Sequence, residues 1–347
     1  MKKLKVIDLF CGSGGFTLGF LSEKFNVDLA VDFDPYCGKV YKKNLPKIKF
    51  ILKDLSNLDK KIFEGLKPDI VVGGPPCQGF STIGSRISSQ EKKRRKKDIR
   101  NNLVFSFIEH VNYLNPKIFL MENVSGILTR ESGDIFSELK KKIKSYGYKF
   151  DIYNLDAVNY GVPQYRKRVF IVGTKLDNYE ISKPNITHGD HFLLEKEITV
   201  NSVIRDLAKI KIDESLNHVP LKHKPKNLKR YALIPEGGRL PENNLPKELF
   251  RKNFGNTFKR LHRNKPSLTM VPGHNAFPIH PWLDRSLTVR EAARIQTYPD
   301  NFIFIGPRHQ QCIQVGNSVP VKLAKHWAKH LKKTLLKKDT NKNEKAA

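Results

Sequence analysis

A mostly parallel, doubly wound α/β sheet with a smaller, loop-rich second domain is the architecture this sequence predicts. Three observations predict it. Short apolar runs recur at helix-sized intervals through the first half of the chain. Two of them run into glycine clusters, Gly12 to Gly15 and Gly73-Gly74. Beyond about Thr174 the periodic pattern dissolves and Pro, Asn, Lys and His become frequent. Short strands alternating with helix-length segments build parallel sheets covered on both faces, and ligands of such sheets sit at the carboxyl ends of the strands.

Taken in order, Leu4 to Phe10 reads as a buried strand that ends in the first glycine cluster. Val27 to Asp32 and Asp69 to Val72 read as the second and third strands. A helix from about Leu103 to Leu114 leads to a fourth strand, Ile118 to Met121, and Val169 to Val172 reads as another. From Thr174 to Arg263 the chain is loop-rich. Order returns at Leu287 to Ile295, where Thr288 with Glu291 three residues on forms a capping box. Ala324, Trp327, Ala328, Leu331 and Leu335 fall at helical spacing and read as the packing face of a final helix. Residues 337–347 are polar and Lys/Asn-rich, a composition that predicts a disordered tail.

The chain of 347 residues suits two domains and a sizeable core. Lys and Arg total 63 against 34 Asp and Glu, a net charge of +29 that points to a polyanionic partner. The four cysteines, Cys11, Cys37, Cys77 and Cys312, match neither a disulfide scaffold nor a zinc pattern, so no metal and a reducing compartment are expected. The first residues are no signal peptide, since Asp8 interrupts a short apolar run, and no stretch approaches the roughly 20 apolar residues of a membrane span. A soluble, cytoplasmic protein without membrane contact follows as the expectation.

Asp8-Leu9-Phe10-Cys11-Gly12-Ser13-Gly14-Gly15-Phe16 follows the first strand. Its glycines let a ligand approach the backbone, although Thr17 replaces the third glycine of a dinucleotide fingerprint. Asp32 ends the second strand, where a carboxylate binds ribose hydroxyls, and Phe33 beside it offers a ring to an adenine. Gly73-Gly74-Pro75-Pro76-Cys77-Gln78-Gly79-Phe80-Ser81 sets a thiol at the same sheet edge. A thiolate there is a nucleophile, whereas an inert buried cysteine is the bland alternative. Glu122-Asn123-Val124 closes the fourth strand, and in Gln164-Tyr165-Arg166-Lys167-Arg168 the two arginines share one face of an extended segment. Lys92, Lys93, Arg94, Arg95, Lys96 and Lys97 follow the cysteine loop and suit phosphate contact.

Together these segments resemble the carbon-5 cytosine methyltransferase family, over about Val6 to Leu331 and in that family's usual order. The resemblance adds Arg290-Glu291-Ala292-Ala293-Arg294-Ile295-Gln296 as a support of the recognition domain and Gln314-Val315-Gly316-Asn317-Ser318-Val319-Pro320 as the last motif, returning to the cofactor site. It implies a Rossmann-like methyltransferase domain over residues 1–173, completed by 310–336, and a target-recognition domain with its supporting helix over 174–309. It implies S-adenosylmethionine as cofactor, S-adenosylhomocysteine as product, and Phe10, Gly12, Gly14, Asp32, Phe33, Asp54, Leu103, Asn317 and Val319 around them. Cys77 would add to carbon-6 of a flipped-out cytosine, Glu122 would contact ring nitrogen 3, and Arg168 with Arg166 the base carbonyl. Ser81 and the basic loop would contact double-stranded DNA.

The variable region, about Thr174 to Arg285, corresponds to the target-recognition domain. In it Gly237-Gly238-Arg239 and Arg260-Leu261-His262-Arg263 are candidate base or phosphate readers, with surface loops as the alternative. A transfer-RNA methyltransferase is a rival, but Gly79-Phe80-Ser81 stands where that branch carries Pro-Phe-Thr. A catalytically dead binder, opposed by the intact Cys77, Glu122 and Arg168, and a Rossmann oxidoreductase, opposed by the pairing of Pro75-Pro76-Cys77-Gln78 with Glu122-Asn123-Val124, are the others. A monomeric prokaryotic modification enzyme, paired with a restriction endonuclease acting on the same site, is the expected biological form.

Overall fold

The computed structural model describes residues 3–56, 59–76, 103–129, 133–177, 182–241, 243, 245–251, 258–271 and 277–343. Among them, seven strands form one sheet: β1 (Lys5–Leu9), β2 (Asn26–Asp32), β3 (Phe50–Leu52), β4 (Ile70–Gly73), β5 (Ile118–Asn123), β6 (Lys149–Asp156) and β7 (Lys167–Thr174). Their order is β3-β2-β1-β4-β5-β7-β6. The pairs β2/β3, β1/β2, β1/β4 and β4/β5 are parallel. β7 runs antiparallel to both β5 and β6. The five strands read from the sequence are all present, and β3 and β6 are additions at the two sheet edges.

The strands are apolar on consecutive residues because both faces are covered. Val6, Ile70, Val72, Ile118, Leu120, Phe170 and Val172 point to one side, against Phe16 and Phe20 of α1 (Gly15–Ser22) and the last helix, α9 (Val321–Asn343). Ile7, Leu9, Val71, Phe119, Met121, Val169 and Ile171 point to the other. There they meet Val104, Phe107, Ile108 and Val111 of α3 (Leu103–Leu114) and Phe136, Leu139 and Ile143 of α4 (Asp134–Ser145). α2 (Pro35–Asn44) follows β2, capped by the Asp34 carboxylate accepting from Tyr36 N. The expected packing face of α9, from Ala324 to Leu335, is buried. α1 approaches it so closely that a Cβ on Gly19 would lie 2.5 Å from Ala324 Cβ.

α9 runs on to Asn343, where composition predicts disorder from residue 337. Once a helix is nucleated, each further Lys, Leu or Thr extends it at small cost. After β7 the chain is loop-rich, as expected, with α5 (Val200–Ile204) and α6 (Pro225–Ala232) as short helices. It has a small apolar cluster of its own, Tyr231, Ile234, Leu240, Phe258 and Ile279. α7 (Val289–Ile295) carries the expected capping box of Thr288 and Glu291. α8 (Arg308–Asn317) then leads into α9. No helix among the described residues is long and apolar enough to cross a membrane.

Candidate active site

Parallel β1, β2, β4 and β5 bring Phe10, Asp32, Gly74 and Glu122–Asn123 to one edge of the sheet. The reversal of β7 brings its beginning there too: Val169 pairs with Asn123, so Arg168 and Arg166 reach the same edge. Had β7 been parallel, the two arginines would lie at the opposite end of the molecule.

The loop after β1 turns through left-handed backbone at Phe10 (φ 54), Gly12 (φ 52) and Gly14 (φ 88). A Cβ on Gly12 would meet no atom within 4 Å, so space lies open above this turn. Gly12 N donates to Asp32 Oδ2 at 2.8 Å and Asp34 N to Oδ1 at 2.9 Å, which holds the carboxylate beneath that space. Burial raises the Asp32 carboxyl above the ordinary range despite these bonds. Phe33, beside it, is 63% exposed, so its ring is open to a ligand lying over Gly12. Asp54 is exposed and accepts from Ser56 N. Leu103 is buried at the start of α3, Asn317 is exposed at the end of α8, and Val319 is buried, its carbonyl so close to Gly15 that no side chain fits there.

Beneath the loop, Asp8 is buried and its Oδ2 accepts from Thr17 N and Thr17 Oγ1. Burial pushes this carboxyl up to about 7. Cys11, Cys37 and Cys312 are buried and unpaired, and burial pushes each thiol up. None of the three has the exposure or the depressed thiol that a nucleophile needs.

Glu122 is nearly buried and its Oε1 lies 3.0 Å from Arg168 Nε. Among the described residues Glu122 Oε1, apart from this ion pair, and Arg166 Nε are buried polar atoms without a hydrogen-bond partner. Arg166 is held by its Nη1 donating to Met270 O at 3.2 Å and by its own N donating to Asp156 Oδ1. Burial, then the neighbouring Arg168, pushes its guanidinium down to about 9, against the pull of Glu122. A buried donor without a hydrogen bond, such as Arg166 Nε, is costly until a further group satisfies it. The strand that leads to the cysteine loop passes over this pair. A Cβ on Gly74 would lie 3.4 Å from Glu122 Oε2, and Asn123 Nδ2 donates to Pro75 O at 3.3 Å. Cys77, Ser81, Lys92, Lys93, Arg94, Arg95, Lys96 and Lys97 lie outside the described residues.

Arg260 is not a base reader. It is 5% exposed, and Nε, Nη1 and Nη2 donate to the carbonyls of Ile234, His280, Leu283 and Tyr231 and to the Asp284 carboxylate. A guanidinium with all five N–H groups engaged inside the protein has none left for guanine. Arg260→Met should therefore cost about 3 kcal/mol or more of stability by stranding those carbonyls and Asp284. It should leave the modified sequence unchanged; a shifted sequence at wild-type melting temperature would reverse this assignment. Arg239 is exposed, in a bridge with Lys259. Two connections escaped the sequence reading. Gln164 pairs with Ser267 of the loop-rich region. Tyr298 Oη meets both Ser13 Oγ and Ser318 Oγ, at 3.0 and 2.5 Å.

A ligand loop, a carboxylate under open space and a Glu/Arg pair on one edge of a doubly wound sheet define a Rossmann-like ligand-binding protein. The chain belongs to the C-5 cytosine-specific DNA methylase family, whose profile matches residues 4–333. It is 36% identical to the type II methyltransferase M1.HphI of Haemophilus parahaemolyticus, over 97% of this chain and 88% of that one. It is 35% identical to the putative type II methyltransferase M.MJ0563P of Methanocaldococcus jannaschii, over 96% and 100%. Among solved structures, a putative DNA modification methyltransferase encoded within an E. coli prophage superposes with a TM-score of 0.73 at 28% identity, covering 96% of this chain and 99% of that one. Spodoptera frugiperda DNMT2, at 19% identity and a TM-score of 0.61 over 94% and 99%, shares the fold. The protein is thus a DNA cytosine-5 methyltransferase, and the oxidoreductase alternative is excluded.

Proposed function

We propose that the chain methylates carbon-5 of one cytosine within a short double-stranded DNA sequence, through a covalent Cys77 adduct, as the modification half of a type II restriction–modification system. The observation that carries the chemistry is the Glu122/Arg168 pair beside Arg166, whose buried Nε closes no hydrogen bond among the described residues. The type II names of the relatives support the biological role and, with it, an endonuclease acting on the same site.

The residues fit S-adenosylmethionine. Open space above Gly12, the Asp32 carboxylate and the exposed Phe33 ring suit a nucleoside, with Phe10, Gly14, Asp54, Leu103, Asn317 and Val319 around it. When bound, this cofactor supplies an electrophilic sulfonium methyl group and departs as S-adenosylhomocysteine. Carbon-5 of cytosine is a poor nucleophile while the ring is aromatic. Cys77 adds as thiolate to carbon-6, and Glu122, carrying a proton when it meets the base, passes that proton to nitrogen 3, the atom that takes the developing negative charge. Arg168 and Arg166 donate to the base carbonyl. Carbon-5, now enamine-like, would take the methyl group; its proton then passes to water, nitrogen 3 gives its proton back to the Glu122 carboxylate, and Cys77 leaves as thiolate as the ring is restored. The target atom is out of reach inside a duplex, so the base flips out. Residues 92–97 would hold phosphates there, with Ser81 beside the base.

Residues 174–309 act as the target-recognition domain with its supporting helix, Arg239 among its candidate contacts; residues 1–173 and 310–336 make the catalytic domain. Supporting this division, the chain leaves the sheet after β7 and builds an apolar cluster of its own, while Val200, Ile204, Leu261, Val289 and Ile295 pack into a cluster shared with Ala30, Val40 and Tyr41. The test incubates purified protein with S-adenosylmethionine and unmethylated plasmid, followed by bisulfite sequencing of both strands. Protected cytosines in one short recurring motif are expected. An unmodified plasmid from folded, cofactor-binding protein would overturn the reading.

A further inference from the structure

Two glutamine side chains, neither of them used by the chemistry above, lie fully buried between the base side and the cofactor side of the site. Gln164 Nε2 donates to Gln296 Oε1 at 3.2 Å, and Gln164 Oε1 accepts from Met270 N at 3.0 Å. Gln296 Nε2 donates to Val315 O at 2.9 Å and reaches Ser318 O at 3.5 Å. Reversing either carboxamide would face oxygen with oxygen and N–H with N–H, so the network admits one orientation. Its left end is the lead-in to β7: Gln164 stands two residues before Arg166, and the same Met270 whose N meets Gln164 accepts from Arg166 Nη1 through its carbonyl. Its right end is the segment that carries Asn317 and Val319 to the cofactor loop.

We propose that Gln296, acting through Gln164, is a positioning residue for methyl transfer. It fixes the start of β7, with Arg166 and Arg168, at a set distance from the cofactor-side segment 315–319. In-line transfer depends on the separation of carbon-5 from the methyl group, and a misplacement of about 1 Å costs up to roughly 100-fold in rate. A pair of rigid carboxamides with every hydrogen-bonding group but one N–H of Gln164 assigned is suited to holding such a separation. The inference rests on the proposed methyltransferase chemistry, and the wild-type protein separates the two. Transfer by wild type with unaltered transfer by the variants overturns the brace alone. No transfer by wild type overturns the functional reading and the brace with it.

The experiment compares Gln296→Met, Gln164→Met and the double variant. Each is assayed for single-turnover methyl transfer at saturating DNA and S-adenosylmethionine, for S-adenosylhomocysteine and DNA affinity, and for melting temperature. Each single change is expected to slow transfer about tenfold or more with affinities within about threefold of wild type. The double variant is expected to lose no more than the slower single one, because both changes break one link. A purely structural role predicts a lower melting temperature with wild-type transfer per folded molecule, and that result overturns the proposal. So do losses that multiply in the double variant. If Gln296→Met does not fold, Gln164→Met leaves the Gln296 bonds to Val315 and Ser318 in place and reads the same rate.

Discussion

Cys77→Ser should abolish methyl transfer, lowering it by a factor on the order of 10³ or more, while cofactor and DNA binding stay near wild type. The change replaces one atom and leaves the fold untouched, but a hydroxyl keeps its proton near neutral pH where a thiol yields a thiolate. No other cysteine can take over. Cys11, Cys37 and Cys312 are buried with thiols pushed up by burial. The approach to position 77 also selects it: Asn123 Nδ2 ties Pro75, two residues earlier, to the end of β5 beside Glu122. A duplex with 5-fluorocytosine at the target gives a second readout. No carbon-5 proton can leave such a base after methylation, so wild type should remain covalently attached through denaturing electrophoresis and Cys77→Ser should not. Wild-type turnover by Cys77→Ser would sink covalent catalysis. Loss of DNA and cofactor binding together with activity would return Cys77 to a structural role.

Much of this site was legible because its parts are short segments at strand ends. Asp32, Glu122 and the Gly12 loop each terminate an apolar run, and a doubly wound sheet gathers such ends on one edge. What the sequence hid is strand direction. An apolar run carries no arrow, and β7 reads alike parallel or antiparallel. The available signal was distance: only residues 157–166 separate β6 from β7, too few for the dozen or more of a crossover. That signal needed β6, whose Lys149-Phe150-Asp151-Ile152-Tyr153-Asn154-Leu155-Asp156 run lies on a partly exposed sheet edge and is only half apolar. β3, three residues long, is too short to register. Arg260 was misread for a different reason. Its partners Tyr231, Ile234, His280, Leu283 and Asp284 are 20 or more residues away, and local sequence shows an arginine without showing that it is buried.

Glu122→Gln should lower the single-turnover rate by about 10² to 10⁴, the range for loss of a positioned acid–base group. The amide matches the carboxyl in size and still hydrogen-bonds a ring nitrogen, but it delivers no proton to nitrogen 3 as carbon-6 takes the thiolate. The change also removes the counter-charge of Arg168, whose side chain is only 15% exposed. Stability should therefore fall too, and the rate is to be read at a temperature where the variant is folded. Arg168→Met separates the two effects. If Glu122 served only to hold Arg168, both variants would raise the DNA concentration needed for half-maximal rate and share one residual rate at saturation. If Glu122 acts on the base, Glu122→Gln should stay slow at saturating DNA by a larger factor than Arg168→Met. Among the described residues Glu122 Oε1 closes no hydrogen bond within its ion pair with Arg168, and Arg166 Nε closes none at all, which favours the second outcome. An ion pair built for structure alone would be expected to close its hydrogen bonds.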